Sequence, residues 1–513
     1  MPELKLPDID YAALLPMLIL FGAACVGVLI EGFVPRSVRN MVQLVLSLAA
    51  MVAALVFVIR RAGEVTAENA ATIGGAIMID NMGLFMEGAL LVLGLVSLLL
   101  FGERTLERGG AFVPHAAVTV GSERDREQAV DSGATEVYPL ALFSLGGMLM
   151  FVTANDLLTM FVALEVFSLP LYLMCALARR KRLLSQESAL KYFLLGAYAS
   201  AFFLFGVAMI YGFAKGVDFR AIHEAVRGSE TSPTLLLIGL ALVAIGLLFK
   251  IAAAPFHVWT PDVYQGAPTP VTAFMAACTK AAAFGALLRV LYVGFDGAKW
   301  HFTPVLGAVA VLTMLVGAVL AVTQTDLKRL LAYSSVANAG YLMVGLLGGN
   351  KDGLSSTLFY LVAYGFTVIA AFALVSLVRD ADGEATHLSR WAGLGRRSPL
   401  FAGIFTFLLL AFAGIPLTSG FMAKFGVFGA AIAGDQTWLV IFGVLTSIVL
   451  AFPYLRVVVM MWLSEPGETT PSVSIPGVLT SAVLGIGTVA TLLLGVLPGP
   501  LLELADQASS FIR

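Results

Sequence analysis

The amino-acid sequence predicts an all-α, polytopic membrane protein of about fourteen transmembrane helices, and three observations predict it. First, of its 513 residues 59% are hydrophobic and only 12% charged, against about 45–50% and about 25% in soluble domains. Second, apolar runs of roughly 17–25 residues, long enough to cross a bilayer core, begin near Tyr11, Met41, Ile77, Val137, Leu157, Tyr192, Leu235, Val271, Phe302, Leu330, Leu354, Leu400, Trp438 and Val478. Third, two of these runs are interrupted. Pro255, Pro261, Pro268 and Pro270 follow the run from Leu235, and Gly414, Pro416 and Gly420 divide the run from Leu400, a pattern of broken membrane helices lining a polar path.

The ends and connections follow from composition. The segment MPELKLPDID has no basic stretch and no small-residue cleavage site, so a removed signal peptide is not expected. Arg36, Arg39, the run Arg179 to Arg182, Lys328, Arg329, Arg379, Arg390, Arg396 and Arg397 fall in alternate loops, which are therefore expected on the cytoplasmic side. With an even number of crossings, both termini are expected outside a cell inner (plasma) membrane. The one long loop, 102–136, mixes acidic and basic residues without an apolar face and reads as a mobile, solvated connection.

Several function classes are excluded at this stage. A net charge of -2 gives no attraction to nucleic acid. Cys25, Cys175 and Cys278 lie in separate apolar runs without CxxC spacing, and no two histidines sit mid-span, so neither an iron–sulfur site nor a haem is expected. No phosphate-binding loop or dinucleotide fingerprint is present. The chain reads as a path without an engine.

The path is marked by charges that cannot reach water. A lysine at the centre of a membrane helix costs roughly 2.5–3.5 kcal/mol, yet Lys250 and Lys280 lie deep in the runs from Leu235 and Val271, Glu165 lies mid-run and Lys424 follows the second break. Glu165 and Lys250 each precede a proline by five residues, Pro170 and Pro255. A proline deprives the carbonyl four residues earlier of its donor, so a hydrated kink is expected beside both charges. Lys191, at the start of its run, is open to a snorkelling role. His257, just past the first break, is open to a relay or an anchoring role. Asp80 and Glu87 bracket the start of the third run, while Arg289 and Arg456 are expected to meet loops or lipid head groups.

At these residues the chain resembles a known family. PFHVWTPDVYQGAPTPVTAF, LEVFSLPLYLM, KRLLAYSSVANAGY and GIPLTSGFMAKF are together similar to the N-type, antiporter-like subunits of proton-pumping NADH–quinone oxidoreductase, respiratory complex I, from about Tyr138 to Trp462. The resemblance implies a proton relay on Glu165, Lys191, Lys250, Lys280 and Lys424. It also implies two inverted five-helix repeats, 137–294 and 302–464. An N-terminal segment, residues 1–136, precedes them, and a last helix and tail, residues 474–513, follow. Asn338 departs from the family, which often has a histidine there; asparagine does not titrate near neutral pH.

NADH, FMN, iron–sulfur clusters and quinone are then expected in partner subunits, with no cofactor in this chain. The expected partners are membrane subunits on both sides and, indirectly, the hydrophilic NADH-oxidising arm. The competing readings are a subunit of a cation/proton antiporter complex and a purely structural subunit.

Overall fold

The structure, a computed structural model, describes residues 9–66, 69–107, 109–113, 118, 122–123, 133–228, 232–380, 383–466 and 471–512. Twelve of its helices are long and apolar enough to cross a membrane, and three more are apolar but shorter. In chain order these are α1 (Tyr11–Phe33), α2 (Arg36–Arg61), α3 (Asn81–Leu99), α4 (Val137–Thr153), α5 (Leu157–Cys175), α6 (Arg182–Ala214), α7 (Thr234–Ile251), α9 (Thr269–Gly294), α10 (Lys299–Thr323), α11 (Leu327–Leu347), α12 (Lys351–Leu377), α13 (Pro399–Ala413), α14 (Ser419–Ala433), α15 (Thr437–Leu463) and α16 (Val478–Val496). The short α8 (Trp259–Gly266) follows α7, and α17 (Gly499–Ala508) follows α16. Counting α13 and α14 as one broken crossing gives the fourteen expected from the apolar runs.

Polar residues bounding the runs set where helices start. Asp80, Asp156, Asp326, Asn350 and Thr418 each accept a hydrogen bond from a backbone N–H in the first turn, satisfying a donor that the helix leaves free. The prolines act unequally. Helix α7 stops at Ile251, where Ala252 turns left-handed (φ 63°), and the Trp259 indole donates to Phe249 O at 3.0 Å across the break. Helix α13 stops at Gly414 (φ 85°), one of the positions where the backbone favours glycine. At Pro170, however, α5 runs on without a break. The hydroxyls of Ser168 and Ser144 bond the nearby carbonyls of Leu164 and Phe167, so the stretch beside Glu165 is polar although the helix is not interrupted.

Helices α9, α11 and α12 form the enclosed centre, with the other crossings packed round them. Enclosure explains why α11 can carry Ser334, Ser335 and Asn338 in one apolar run: its faces meet protein rather than lipid. Close packing depends on small residues, since a Cβ on Gly317 of α10 would collide with the backbone nitrogen of Ala337 in α11. Small antiparallel strands close two loops: β1 (Ala71–Thr72) pairs β2 (Ile77–Met78), and β3 (Val378–Asp380) lies between β4 (Gly383–Glu384) and β5 (Ser472–Val473).

The beginning of the long loop differs from the solvated connection expected. Glu103 is buried and accepts from the Thr480 hydroxyl of α16 at 2.7 Å, while Glu107 pairs with Arg180 at 2.5 Å and Arg379 at 2.8 Å. Arg179 donates to the carbonyls of Gly109, Gly110 and Phe112. Alternating charges here meet opposite charges from distant loops. Residues 108, 114–117, 119–121 and 124–132 of this loop lie outside the described residues.

Candidate functional site: a row of enclosed lysines

Lys250 lies in the last turn of α7 and is 2% exposed. Its Nζ donates to Ser168 Oγ at 2.7 Å and Tyr172 OH at 3.4 Å. The rings of Phe167, Tyr172, Tyr192 and Phe249 surround it with centroids at 5.2–5.7 Å. Aromatic faces attract a cation, so the cage offsets some of the cost of removing the ammonium from water.

Glu165 is not a bonding partner of this amine. It stands one turn from Ser168 on α5, and its Oε1 is buried without a hydrogen bond. Lys191 is not its partner either. Ring contacts Phe161–Phe203 and Tyr172–Tyr192 set α5 and α6 antiparallel, placing Glu165 level with Ala199, about eight residues or roughly 12 Å along the axis from Lys191. Lys191 pairs instead with Asp262 at 2.7 Å and Glu187 at 2.7 Å. These bonds hold the amine that the sequence left open to snorkelling.

Lys280, 3% exposed, is held by α11: its Nζ donates to Ser335 O and to Ser335 Oγ, the latter at 2.6 Å, below the Tyr364 ring at 5.3 Å. A five-residue π-helical stretch, Met275–Thr279, leads directly into it; such bulges are frequent at functional sites. Lys424, in α14, donates to Phe412 O and Ala413 O, both at 3.1 Å, beside the Tyr341 ring at 4.8 Å. These are the free carbonyls at the C-terminus of α13, where a helix favours positive charge.

Between Lys280 and Lys424 lies a polar seam. Asn338 accepts from Tyr360 OH at 2.7 Å and donates to Ser334 O at 2.8 Å, and Ser334 Oγ bonds Tyr454 OH. A cavity of about 10 Å³ is lined by Asn338, Tyr360, Tyr364, Thr367, Phe412 and Ser419, the size of about one water. Tyr364 OH and Ser419 Oγ at this place are buried without hydrogen-bond partners. His257 has a buried Nδ1 without a hydrogen bond, and its ring lies 6.3 Å from Tyr333.

The structure gives partners and surroundings to other charges named from the sequence, some of them unlike those expected. Arg289 is fully buried and binds Asp80 through two nitrogens, at 2.6 and 3.0 Å, and Val152 O at 2.9 Å. It is not a head-group arginine, because α3 and α4 cover its end of α9; Arg456, by contrast, does meet the loop carbonyls of Val322 and Gln324. Glu87 is 0% exposed, with both carboxyl oxygens lacking hydrogen bonds. Lys328, assigned above to a loop, is 3% exposed in the first turn of α11 and donates to Ala267 O and Thr269 Oγ1, with Glu384 at 3.7 Å. One signal for Lys328 was present: α11 has no polar face to carry it outward. Asp262 was quoted only within a motif. Among the described residues no group of three or more His, Cys, Asp or Glu is placed to hold a metal ion.

The comparisons with known proteins bear on the whole chain. A membrane family described as NADH:quinone oxidoreductase/Mrp antiporter matches residues 154–450. A protein of Salinispora arenicola named NADH-quinone oxidoreductase subunit N is 69% identical over 521 aligned positions, covering 100% of both chains. The chain belongs to the NADH-quinone oxidoreductase subunit N family. Among solved structures, a chain of respiratory complex I from Thermus thermophilus is 32% identical, with TM-score 0.76, covering 96% of this chain and 99% of that one. A chain of the Mrp complex from Dietzia sp. has TM-score 0.80 at 22% identity and 96% and 97% coverage, a likeness of fold alone. The subunit N family is therefore the frame in which the lysine row is read.

Proposed function

We propose that this chain is a membrane-arm subunit of a proton-pumping NADH-quinone oxidoreductase, in which protons pass along Lys250, Lys280 and Lys424, driven by redox chemistry in partner subunits. NADH, FMN, iron–sulfur clusters and quinone act in those partners, and the membrane is the cell inner membrane with both termini outside. The two breaks fall one in each proposed repeat, 137–294 and 302–464. The observation that carries the reading is the row itself: three enclosed amines, each held by hydroxyls or carbonyls, with a polar seam and cavity between the last two.

The energies are commensurate. Two charges about 4 Å apart interact by about 4 kcal/mol at an effective dielectric of ~20, while lifting a proton against ~200 mV costs about 4.6 kcal/mol. Rearranging one charged neighbour therefore supplies most of what loading or unloading a lysine against that potential requires. Glu165, with an unbonded oxygen one turn from the Ser168 that holds Lys250, is placed to be such a neighbour. Lys191 and His257 are assigned supporting roles at the first break.

The test is NADH-driven proton uptake by vesicles carrying the assembled complex with Lys250→Met or Lys280→Met. A fall of at least tenfold is expected; normal uptake in both variants would leave only a structural subunit. An antiporter subunit would instead change its turnover with an imposed Na⁺ gradient, which this reading does not expect.

A further inference from the structure

We infer that Asp262 is a positioning residue, a clasp that joins Lys191 to the second half of the chain and so sets the aromatic wall over Lys250. The inference rests on the proton-row reading above.

Asp262 lies in the first turn of α8, the short helix after the first break. Its carboxylate is divided between two cations from different helices. Oδ2 accepts from Lys191 Nζ of α6 at 2.7 Å, and Oδ1 accepts from Arg329 of α11 at 2.6 Å. Its carbonyl accepts from Ser188 Oγ, one turn before Lys191, at 2.8 Å. Glu187 shares Lys191, and Gln265 and Gln324 share Arg329, so two carboxylates face two cations and the cluster is neutral as a whole. Asp262 and Glu187 are the acids that Lys191 meets, both at 2.7 Å, and Glu165 lies about eight residues away in level.

The clasp reaches Lys250 through rings. Three residues before Asp262, Trp259 stacks on Tyr192, the neighbour of Lys191, with centroids 4.6 Å apart. Tyr192 is one wall of the Lys250 cage at 5.5 Å, and the Trp259 indole donates to Phe249 O beside Lys250. On the other side Arg329 is adjacent to buried Lys328 in the helix whose Ser335 holds Lys280. Loss of charge at Lys191 would leave Asp262 to Arg329 alone, loosening α6 from α8 and the ring stack from Lys250. The charge of Lys191 and the surroundings of Lys250 are thereby linked.

The experiment uses membranes carrying the assembled complex. NADH oxidation by a soluble artificial acceptor reports assembly, and protons taken up per NADH with quinone as acceptor report coupling. Asp262→Asn is expected to lower protons per NADH at least fivefold with acceptor activity unchanged. Asp262→Glu is expected to restore at least half, and adding Lys191→Met to Asp262→Asn to cause no further loss. Unchanged pumping in Asp262→Asn, or losses from the two changes that multiply, overturns the clasp. Should Asp262→Asn not assemble, the charge-balanced pair Asp262→Asn with Arg329→Gln replaces it, with the same expectations. Lys250→Met keeps the two readings apart: normal pumping there defeats the proton row, whereas loss there with normal pumping in Asp262→Asn defeats the clasp alone.

Discussion

The two broken crossings hold their lysines in different ways. Lys250 stands before its break, on the outgoing end of α7, in a cage of four rings with two hydroxyls for partners. Lys424 stands after its break, on α14, and reaches back to the carbonyl end of α13. A hydroxyl can turn to donate or accept, so the Lys250 site has a partner for both the ammonium and the neutral amine. Carbonyls only accept, and the helix end adds negative character, so the Lys424 site suits an ammonium. The difference teaches that two broken crossings of one chain can hold an amine so that both protonation states find a partner at one and only the ammonium is matched at the other.

That contrast can be broken most sharply by replacing each amine with arginine. Arginine stays protonated in proteins, so Lys250→Arg and Lys424→Arg are both expected to lose NADH-driven proton uptake at least tenfold. Their assembly should differ: the fork of Lys424→Arg can meet both carbonyls, whereas the ring cage leaves Lys250→Arg no room, and native gels should show less assembled complex for the latter. Equal assembly of the two would remove the distinction between cage and carbonyl end.

A smaller effect is expected at Ser168. Tyr172 OH remains beside the amine at 3.4 Å, so the loss lies at or below the lower end of the about 1.5–3 kcal/mol for a hydrogen bond to a buried charged group, and Ser168→Ala should slow proton uptake by up to about tenfold, while Thr418→Ala at the other break should change it much less. Asn338→His would sharpen the comparison from the middle of the row. A neutral imidazole can accept from Tyr360 OH and donate to the Ser334 carbonyl as the amide does, so this variant should keep proton uptake within about threefold of the parent at pH 8. The smallest effect is expected for Gly414→Ala. A left-handed residue with a Cβ costs about 1 kcal/mol, and that atom would lie 3.1 Å from Lys424 Cδ. Melting of the purified complex should fall by a few degrees, with proton uptake within about twofold.

Much of this was legible in residue order. The solvent, the crossings, the breaks at Pro255 and Pro416 and the enclosed positions of Lys250, Lys280 and Lys424 follow from apolar run length, from prolines that lack a donor and from charges too deep to reach water. What could not be read was partnership. Lys191 bonds Asp262, 71 residues on; Arg289 bonds Asp80, 209 residues back; and α5 runs through Pro170 without interruption.

By itself the sequence determined the membrane setting, the helical class and which helices carry costly charge, because these depend on local composition and on the chemistry of single residues. The tertiary structure alone decided which acid meets which base, that Lys328 is enclosed, and that a cavity lies between Lys280 and Lys424. Those outcomes depend on the rotation and register of one helix against another, set by close contacts such as Gly317 against Ala337, and a helix's own periodicity states only which side chains share a face.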